Sequence, residues 1–97
     1  MIFHFSKVFL GSAGEGRHWH HIVEKSQILK SGFDPKLIHN TNNIISVDAA
    51  THAKISGYYK RIYGTTGLSF RDWLAGQSFE TQYQVGIDVL KMYGVIQ

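Results

Sequence analysis

The hydrophobic and polar positions of the chain predict two short strands in its first half. Residues 18–24 and 44–47 are rich in β-branched and aromatic side chains, which favour extended backbone. Residues 2–10 alternate bulky apolar and other side chains, which predicts an extra strand or a linker over residues 1–13. A glycine-rich loop separates this segment from the first of the two strands.

The hydrophobic spacing changes to a helical period after the second strand. Asp48 is a suitable N-cap for a helix over about residues 49–62. Four side chains on that helix recur at intervals of three or four and share one face, namely His52, Ile55, Tyr59 and Ile62. Strand, turn, strand and helix together predict a ββα module over about residues 18–62.

Several shorter helices complete the prediction. Residues 25–31 and the segment that starts at Asp34 and Pro35 each have room for one or two turns. Ser69 with Asp72 resembles a capping box, and Ser78 precedes a helix over about residues 79–93. The predicted apolar stripe of this last helix is Phe79, Tyr83, Ile87 and Leu90. We therefore expect one α+β domain over residues 1–97, with helices at about 69–93 bracing the ββα module.

The charge of the chain is concentrated beside the predicted module. Residues 1–68 carry eight Lys and Arg against four Asp and Glu, whereas residues 69–97 carry two against three. A basic field of this kind favours a polyanion such as nucleic acid, although an ordinary solvated surface explains it equally well. The chain has no cysteine, which excludes disulfides and thiolate metal sites. We recognise no signal peptide, and no apolar run approaches the ~20 residues of a membrane span.

The residues with the clearest chemical potential are histidines. His20 and His21 are adjacent on the first predicted strand, Asn43 precedes the second strand, and His52 follows nine residues later on the helix. Neighbouring strand residues point to opposite faces, so His20 and His21 cannot both bind one metal ion in a regular strand. This alternation predicts separate roles for the two imidazoles.

The order and spacing of these residues resemble those of the HNH nucleases, a branch of the ββα-metal (His-Me finger) endonucleases. More narrowly, three segments look like the WHH-type nuclease domains at the C-termini of bacterial polymorphic toxins, including Rhs-type toxins. They are residues 19–24 (WHHIVE), 38–43 (IHNTNN) and 52–59 (HAKISGYY). The run RDWLAGQSFE at 71–80 also resembles such toxin tips. The resemblance extends over roughly residues 14–95.

The resemblance implies a role for each residue of the motif. His20 and His52 would bind one divalent metal ion, His21 would be the general base, and Asn43 would position the loop and His21. Colicin-type relatives carry another histidine one turn after His52, where this chain has Ser56. A site with so few protein ligands suits Mg²⁺, whereas two imidazoles favour Zn²⁺, Ni²⁺ or Mn²⁺. The sequence therefore leaves the identity of the metal ion open.

The implied function is a divalent-metal-dependent endonuclease that hydrolyses DNA with little sequence preference. It would be an antibacterial toxin domain that acts in the cytoplasm of a target bacterium after export by a separate delivery module. The implied partners are DNA and an acidic immunity protein, without membrane association. Candidate phosphate-backbone contacts are Arg17, Lys25, Lys54, Lys60 and Arg61.

Two alternatives remain open from the residues. One is an RNase toxin of the same fold, because activation of water requires no 2′-hydroxyl group. The other is a non-catalytic zinc-binding or nucleic-acid-binding module that uses His20, His39 and His52. His18 is either a surface residue or an auxiliary metal or substrate contact, and Glu24 is expected at the surface where the first strand ends. Asn40 and Asn42 are rivals of Asn43 for the positioning role.

Overall fold

The computed structural model of the protein describes residues 10–97, which form two strands, five α-helices and a 3₁₀ turn. In chain order they are β1 (Arg17–His21), α1 (Gln27–Ser31), α2 (Pro35–Ile38), a 3₁₀ turn (Thr41–Asn43), β2 (Ile44–Asp48), α3 (Ala49–Lys60), α4 (Phe70–Leu74) and α5 (Phe79–Met92). The expected α+β fold class is confirmed. The strand predicted over residues 2–10 lies almost wholly outside the described residues.

The two strands pair in an antiparallel sheet, and α3 packs on them. His18 pairs with Val47 and His20 with Ile45. Helix α3 begins directly after β2 and contacts both strands. Asp48 caps it as predicted, since its carboxylate accepts a hydrogen bond from the backbone N–H of Thr51 at 3.0 Å. The cap fixes where the helix starts and therefore how its first turns lie over the sheet.

The first strand ends earlier than the sequence predicts. β1 stops at His21 rather than at residue 24. Beyond it, the N–H of Ile22 donates to the backbone oxygen of Asn43, and the N–H of Val23 donates to the Asn43 side chain. The segment opposite these residues, just before β2, forms the 3₁₀ turn, so no strand is available to pair with residues 22–24. The β-prone side chains of Ile22 and Val23 are buried in the core instead of extending the sheet.

Helix α3 is also shorter than predicted. It ends at Lys60 because Arg61 is extended, with ψ of 152°. The backbone oxygen of Arg61 accepts a hydrogen bond from Phe70, and Ile62 forms an isolated antiparallel bridge with Ser69. Ile62 is therefore exposed instead of continuing the apolar face of the helix. The prediction failed here because a long-range backbone pairing outweighed the local helical pattern.

The core lies where α3, α4 and α5 meet the sheet. Its buried hydrophobic side chains form one cluster: Ile22, Val47, Ile55, Tyr59, Phe70, Leu74, Val89 and Leu90. Ser69 and Ser78 cap α4 and α5 through hydrogen bonds from the backbone of Asp72 and Thr81, as predicted. The C-terminal helices therefore complete the core of the domain and are part of its stability.

Helix α5 buries a face shifted from the predicted one, and of the predicted apolar stripe only Leu90 is fully buried. Its buried residues are Gln82, Gly86, Val89 and Leu90, whereas Phe79, Tyr83 and Ile87 are only partly buried. Gly86 lies against the backbone of Ile22, and a Cβ atom there would stand 2.3 Å from the Ile22 backbone oxygen. The close approach requires glycine, so hydrophobicity alone could not show that the Gly86 face of α5 packs on Ile22.

A buried polar network connects α1 to the two C-terminal helices. The Gln27 side chain donates to the backbone oxygen of Arg71 at 2.9 Å, and Ser31 donates to Gln27 at 2.5 Å. The Gln82 side chain donates to the Leu74 backbone oxygen at 2.9 Å and contacts Ser31 at 3.1 Å. Because buried amides are costly unless they are hydrogen-bonded, this network fixes α4 relative to α1 and α5.

Among the helices of residues 10–97, none combines the length and the apolar character that crossing a membrane requires.

We predict that Gly86→Ala lowers the free energy of unfolding by about 1–3 kcal/mol, because the added methyl group would overlap the Ile22 backbone. Chemical denaturation monitored by circular dichroism measures this. Gly57→Ala is the matched control, since Gly57 is also helical but has open space around it. That substitution should stabilise the protein by roughly 0.5–1 kcal/mol. Equal effects of the two substitutions would contradict the close contact.

Candidate active site

A cleft of about 480 Å³ opens beside the end of β1. Side chains from β1, the loop that follows it, α3 and α4 line it together: Trp19, His20, His21, Glu24, Lys25, Ser26, His52, Ser56 and Arg71. Residues more than forty positions apart in sequence thus share one surface. Three of the four predicted metal-binding and catalytic residues line it, and the fourth, Asn43, is buried outside its lining.

His20 and His52 face each other across the strand–helix interface. Their ring centroids are 5.4 Å apart in an edge-on arrangement. His20 is buried, and its Nε2 atom has no hydrogen-bond partner within the described part of the chain. An unsatisfied buried nitrogen costs about 1–3 kcal/mol unless a ligand binds it. This atom is therefore the clearest candidate for a ligand-binding position.

Burial keeps both imidazoles neutral. Burial, with smaller contributions from the neighbouring His52 and His21, lowers the pKa of His20 to about 4. Burial also lowers the pKa of His52, with a contribution from His18. Both rings are therefore uncharged at neutral pH, which is the form in which imidazole binds metal ions.

His21 lies on the other side of the strand and belongs to a second histidine pair. Its Nε2 atom is 3.3 Å from Nδ1 of His39, and the ring centroids are 5.3 Å apart. One of these two nitrogens must carry the proton that they share, so the tautomer of one ring sets that of the other. From sequence alone, His39 enters only the zinc-module alternative, and its local signal is its place in the Asn-rich turn.

Asn43 holds the backbone that follows β1 in place through hydrogen bonds. It is buried, and its side-chain oxygen accepts from the N–H of Val23 at 2.8 Å. Its amide nitrogen donates to the backbone oxygens of Val23 at 3.1 Å and Ile38 at 2.9 Å. Both amide protons are thus used on the backbone. Asn43 therefore fixes the backbone of Ile22 and Val23, directly after His21.

Glu24 and Arg71 form an ion pair in the cleft that the sequence analysis did not anticipate. Arg71 Nε and Nη2 donate to the two carboxylate oxygens of Glu24 at 2.9 and 2.7 Å. This hydrogen bonding raises the pKa of Arg71. A guanidinium has five N–H donors, so Arg71 retains donors for an anion in the cleft. No local pattern could indicate a pair separated by 47 residues.

The predicted phosphate contacts are dispersed. Lys25 lines the cleft. Arg17 binds the Ser46 side chain and backbone, and Arg61 lies over the Tyr58 ring at 4.0 Å, on the border of a different groove. Lys54 and Lys60 are exposed on α3 outside the lining of the cleft. Of the Lys and Arg side chains that the structure describes, Lys25 and Arg71 line the cleft together with the histidines.

The described residues contain no group of three or more His, Asp or Glu side chains gathered to hold a metal ion. The available donors are the His20 and His52 imidazoles, which are neutral, close together and, for His20 Nε2, unpartnered. This donor set fits a divalent cation of borderline character. His39 contacts His21, so it is not associated with His20 and His52 as the zinc-module alternative requires.

Comparisons of the chain with protein-family models, with curated proteins and with solved structures find no match. Functional inference for this chain therefore depends on its own residues and their geometry.

We predict that Asn43→Ala lowers the free energy of unfolding by about 2–4 kcal/mol, because it leaves buried backbone groups of Val23 and Ile38 without partners. The matched control is Asn42→Ala, an exposed position in the same turn, which should change it by less than about 0.5 kcal/mol. Urea denaturation measures both. A larger loss for Asn42 would assign the structural role to the wrong asparagine.

Proposed function

We propose that the protein is a metal-dependent endonuclease of the His-Me finger (HNH) class that hydrolyses DNA with little sequence preference. The observation that carries the proposal is the separation of the histidines into two pairs around one cleft. His20 and His52 supply neutral nitrogens on one side, and His21 with His39 lies on the other. β1 carries His20 and His21, α3 carries His52, and His39 directly follows α2. Along the chain, β1, β2 and α3 follow one another in the order expected of the ββα-metal module.

His20 and His52 would hold a single divalent cation. When bound, such an ion supplies Lewis-acid stabilisation of charge on phosphate and leaving oxygen. The protein contributes two neutral imidazoles whose orientation is set before binding, because His20 is fixed in the core and His52 is fixed by the capped start of α3. Fixed ligands cost little reorganisation when the ion binds.

His21 would take the proton from the attacking water. A histidine is suited to this role because its pKa ordinarily lies near neutrality. The contact with His39 fixes the His21 ring and its tautomer, and Asn43 fixes the backbone on which the ring is carried. His20 and His21 are both on β1 but point to opposite faces of the strand, which keeps the base apart from this metal ligand.

Arg71 would bind the phosphate that is attacked. Its guanidinium reaches the cleft from α4, and Glu24 orients it through two hydrogen bonds. Paired in this way, Arg71 presents its remaining donors in a fixed direction, which favours a tetrahedral oxyanion over a diffuse charge. Lys25 adds a second cation beside the histidines. Neither residue provides a base-reading element, which is consistent with weak sequence preference.

An antibacterial toxin role follows from weak specificity together with the resemblance of the motif to polymorphic-toxin tips. A nuclease that reads few bases attacks the nucleic acid of the cell that makes it. Such a protein requires a dedicated inhibitor in its producer, and an acidic inhibitor would associate rapidly with a cleft that presents Lys25 and Arg71. We propose delivery into the cytoplasm of a target bacterium as the setting for this activity.

We predict that His21→Ala lowers the rate of plasmid nicking by about 10²–10⁴-fold, the usual effect of removing a general base. Far-ultraviolet circular dichroism and metal titration should be unchanged, because the His20 and His52 pair is left intact. Chelation should abolish wild-type nicking. Wild-type rates in the purified variant would refute the assignment of the base. Products with 5′-phosphate ends support attack by water, and 2′,3′-cyclic phosphate ends on RNA would support the RNase alternative.

We predict that Arg71→Gln lowers kcat/KM for cleavage by about 10–100-fold, the value of one or two charge-assisted hydrogen bonds. Lys91→Gln is the control, since it removes the same charge from an exposed position on α5. It should change kcat/KM by less than about twofold, because distant surface charge is screened by salt. Equal effects would show that only net charge matters. Denaturation of Arg71→Gln separates lost stability from lost phosphate binding.

We predict that induction of the wild-type chain in bacteria causes growth arrest with loss of nucleoid staining, and that His21→Ala relieves both. Immunoblotting for soluble protein verifies equal expression. Normal growth at high levels of soluble wild-type protein would contradict the toxin proposal. Arrest with intact DNA and degraded RNA would identify RNA as the substrate.

A further inference from the structure

A third histidine lies beside the proposed metal ligands. His18 is two residues before His20 on β1, so the two side chains emerge on the same face of the strand. The His18 ring centroid is 5.2 Å from that of His52, close to the 5.4 Å between His20 and His52. His52 therefore faces two imidazoles of the strand, one buried and one exposed.

These separations match those of rings that share a metal ion. Zinc–nitrogen bonds of about 2.0–2.1 Å place each ring centre roughly 3.2 Å from the ion, so two tetrahedral imidazole ligands have centroids roughly 5.2 Å apart. Alternate residues of a strand are about 6.6–6.8 Å apart along its axis. Two imidazoles on such positions can converge on one ion that a third imidazole approaches from another element.

Other side chains of the cleft are poorly suited to be the third ligand. Ser56 lies one turn after His52 and offers only a hydroxyl group. Both carboxylate oxygens of Glu24 accept hydrogen bonds from Arg71. His21 is on the opposite face of the strand, next to His39. Among residues 10–97, His18 is the remaining imidazole on the metal side.

We propose that His18 completes a three-histidine site with His20 and His52, and that this site selects a borderline ion of the Zn²⁺ or Ni²⁺ type over Mg²⁺. The three rings are not yet gathered around one point, and the exposed His18 is the one that can rotate to join the others. Three imidazoles leave one tetrahedral position for water or a phosphate oxygen. Nitrogen donors favour these ions over Mg²⁺, which prefers oxygen. The proposal rests on the metal site of the proposed function and assigns it a ligand and an ion class.

The test is metal binding by the purified, metal-free, full-length chain. Competition titrations with Zn²⁺, Ni²⁺ and Mg²⁺ compare the wild type with His18→Ala and with His52→Ala as the reference for a lost ligand. His18→Ala should weaken Zn²⁺ and Ni²⁺ binding by at least about tenfold, since even outer partners of metal ligands contribute 10–100-fold. The visible spectrum of the Co²⁺ form should change with it, because that spectrum reports the ligand set. Unchanged affinity and spectrum would overturn the proposal.

A relocated imidazole provides a second measurement. His18→Ala combined with Ser56→His moves the third imidazole from the strand to the helix, where positions 52 and 56 share a face. Recovery of Zn²⁺ affinity and of the Co²⁺ spectrum supports His18 as a direct ligand. Failure of the double variant to recover either, while Ser56→His alone folds normally and binds Zn²⁺ at least as tightly as the wild type, would count against it.

The metal-binding result and the cleavage result can be told apart. Tight, His18-dependent Zn²⁺ binding in a protein that cleaves no nucleic acid would support the site and refute the nuclease. Metal-dependent cleavage that survives His18→Ala with unchanged metal affinity would support the nuclease and refute the third ligand.

Discussion

The cleft depends on the buried amide of Asn43. The Asn43 side chain forms hydrogen bonds with the backbone of Val23 and Ile38. The Asn43 backbone oxygen accepts a hydrogen bond from the N–H of Ile22. These bonds end β1 at His21 and turn the chain away from β2 immediately after the two histidines. If the strand continued in the ladder to residue 24, Glu24 would be carried along the sheet and would not line the cleft. One satisfied amide therefore sets both the length of the strand and the composition of the cleft.

Local signals predicted most of the secondary structure. Asp48, Ser69 and Ser78 each cap the helix that was expected from them, because a capping hydrogen bond involves residues two or three positions apart. The errors occurred where distant backbone intervened. The Ile62–Ser69 bridge shortened α3, and the contact of Gly86 with Ile22 moved the buried face of α5. Neither contact leaves a trace in a hydrophobic pattern.

The same distinction applies to the candidate site. Alternation along β1 predicts that His20 and His21 face opposite ways, and the structure gives them different neighbours, His52 and His39. The Glu24–Arg71 pair could not be predicted, since it joins the first loop to α4 across 47 residues. The structure places Arg17 and Arg61 outside the lining of the cleft, where they contact Ser46 and Tyr58. Composition cannot reveal such contacts.

The buried network of Gln27, Ser31 and Gln82 has a consequence for synthesis of the protein. It attaches Arg71 to α1, and α5 closes over Ile22, so the cleft requires residues from the last third of the chain. A ribosome adds about 5–20 residues per second, so residues 70–92 leave it after the histidines of β1 and α3. A nascent chain that already displays these histidines thus lacks Arg71 and the support of α5. The complete cleft therefore forms only once α4 and α5 have been synthesised.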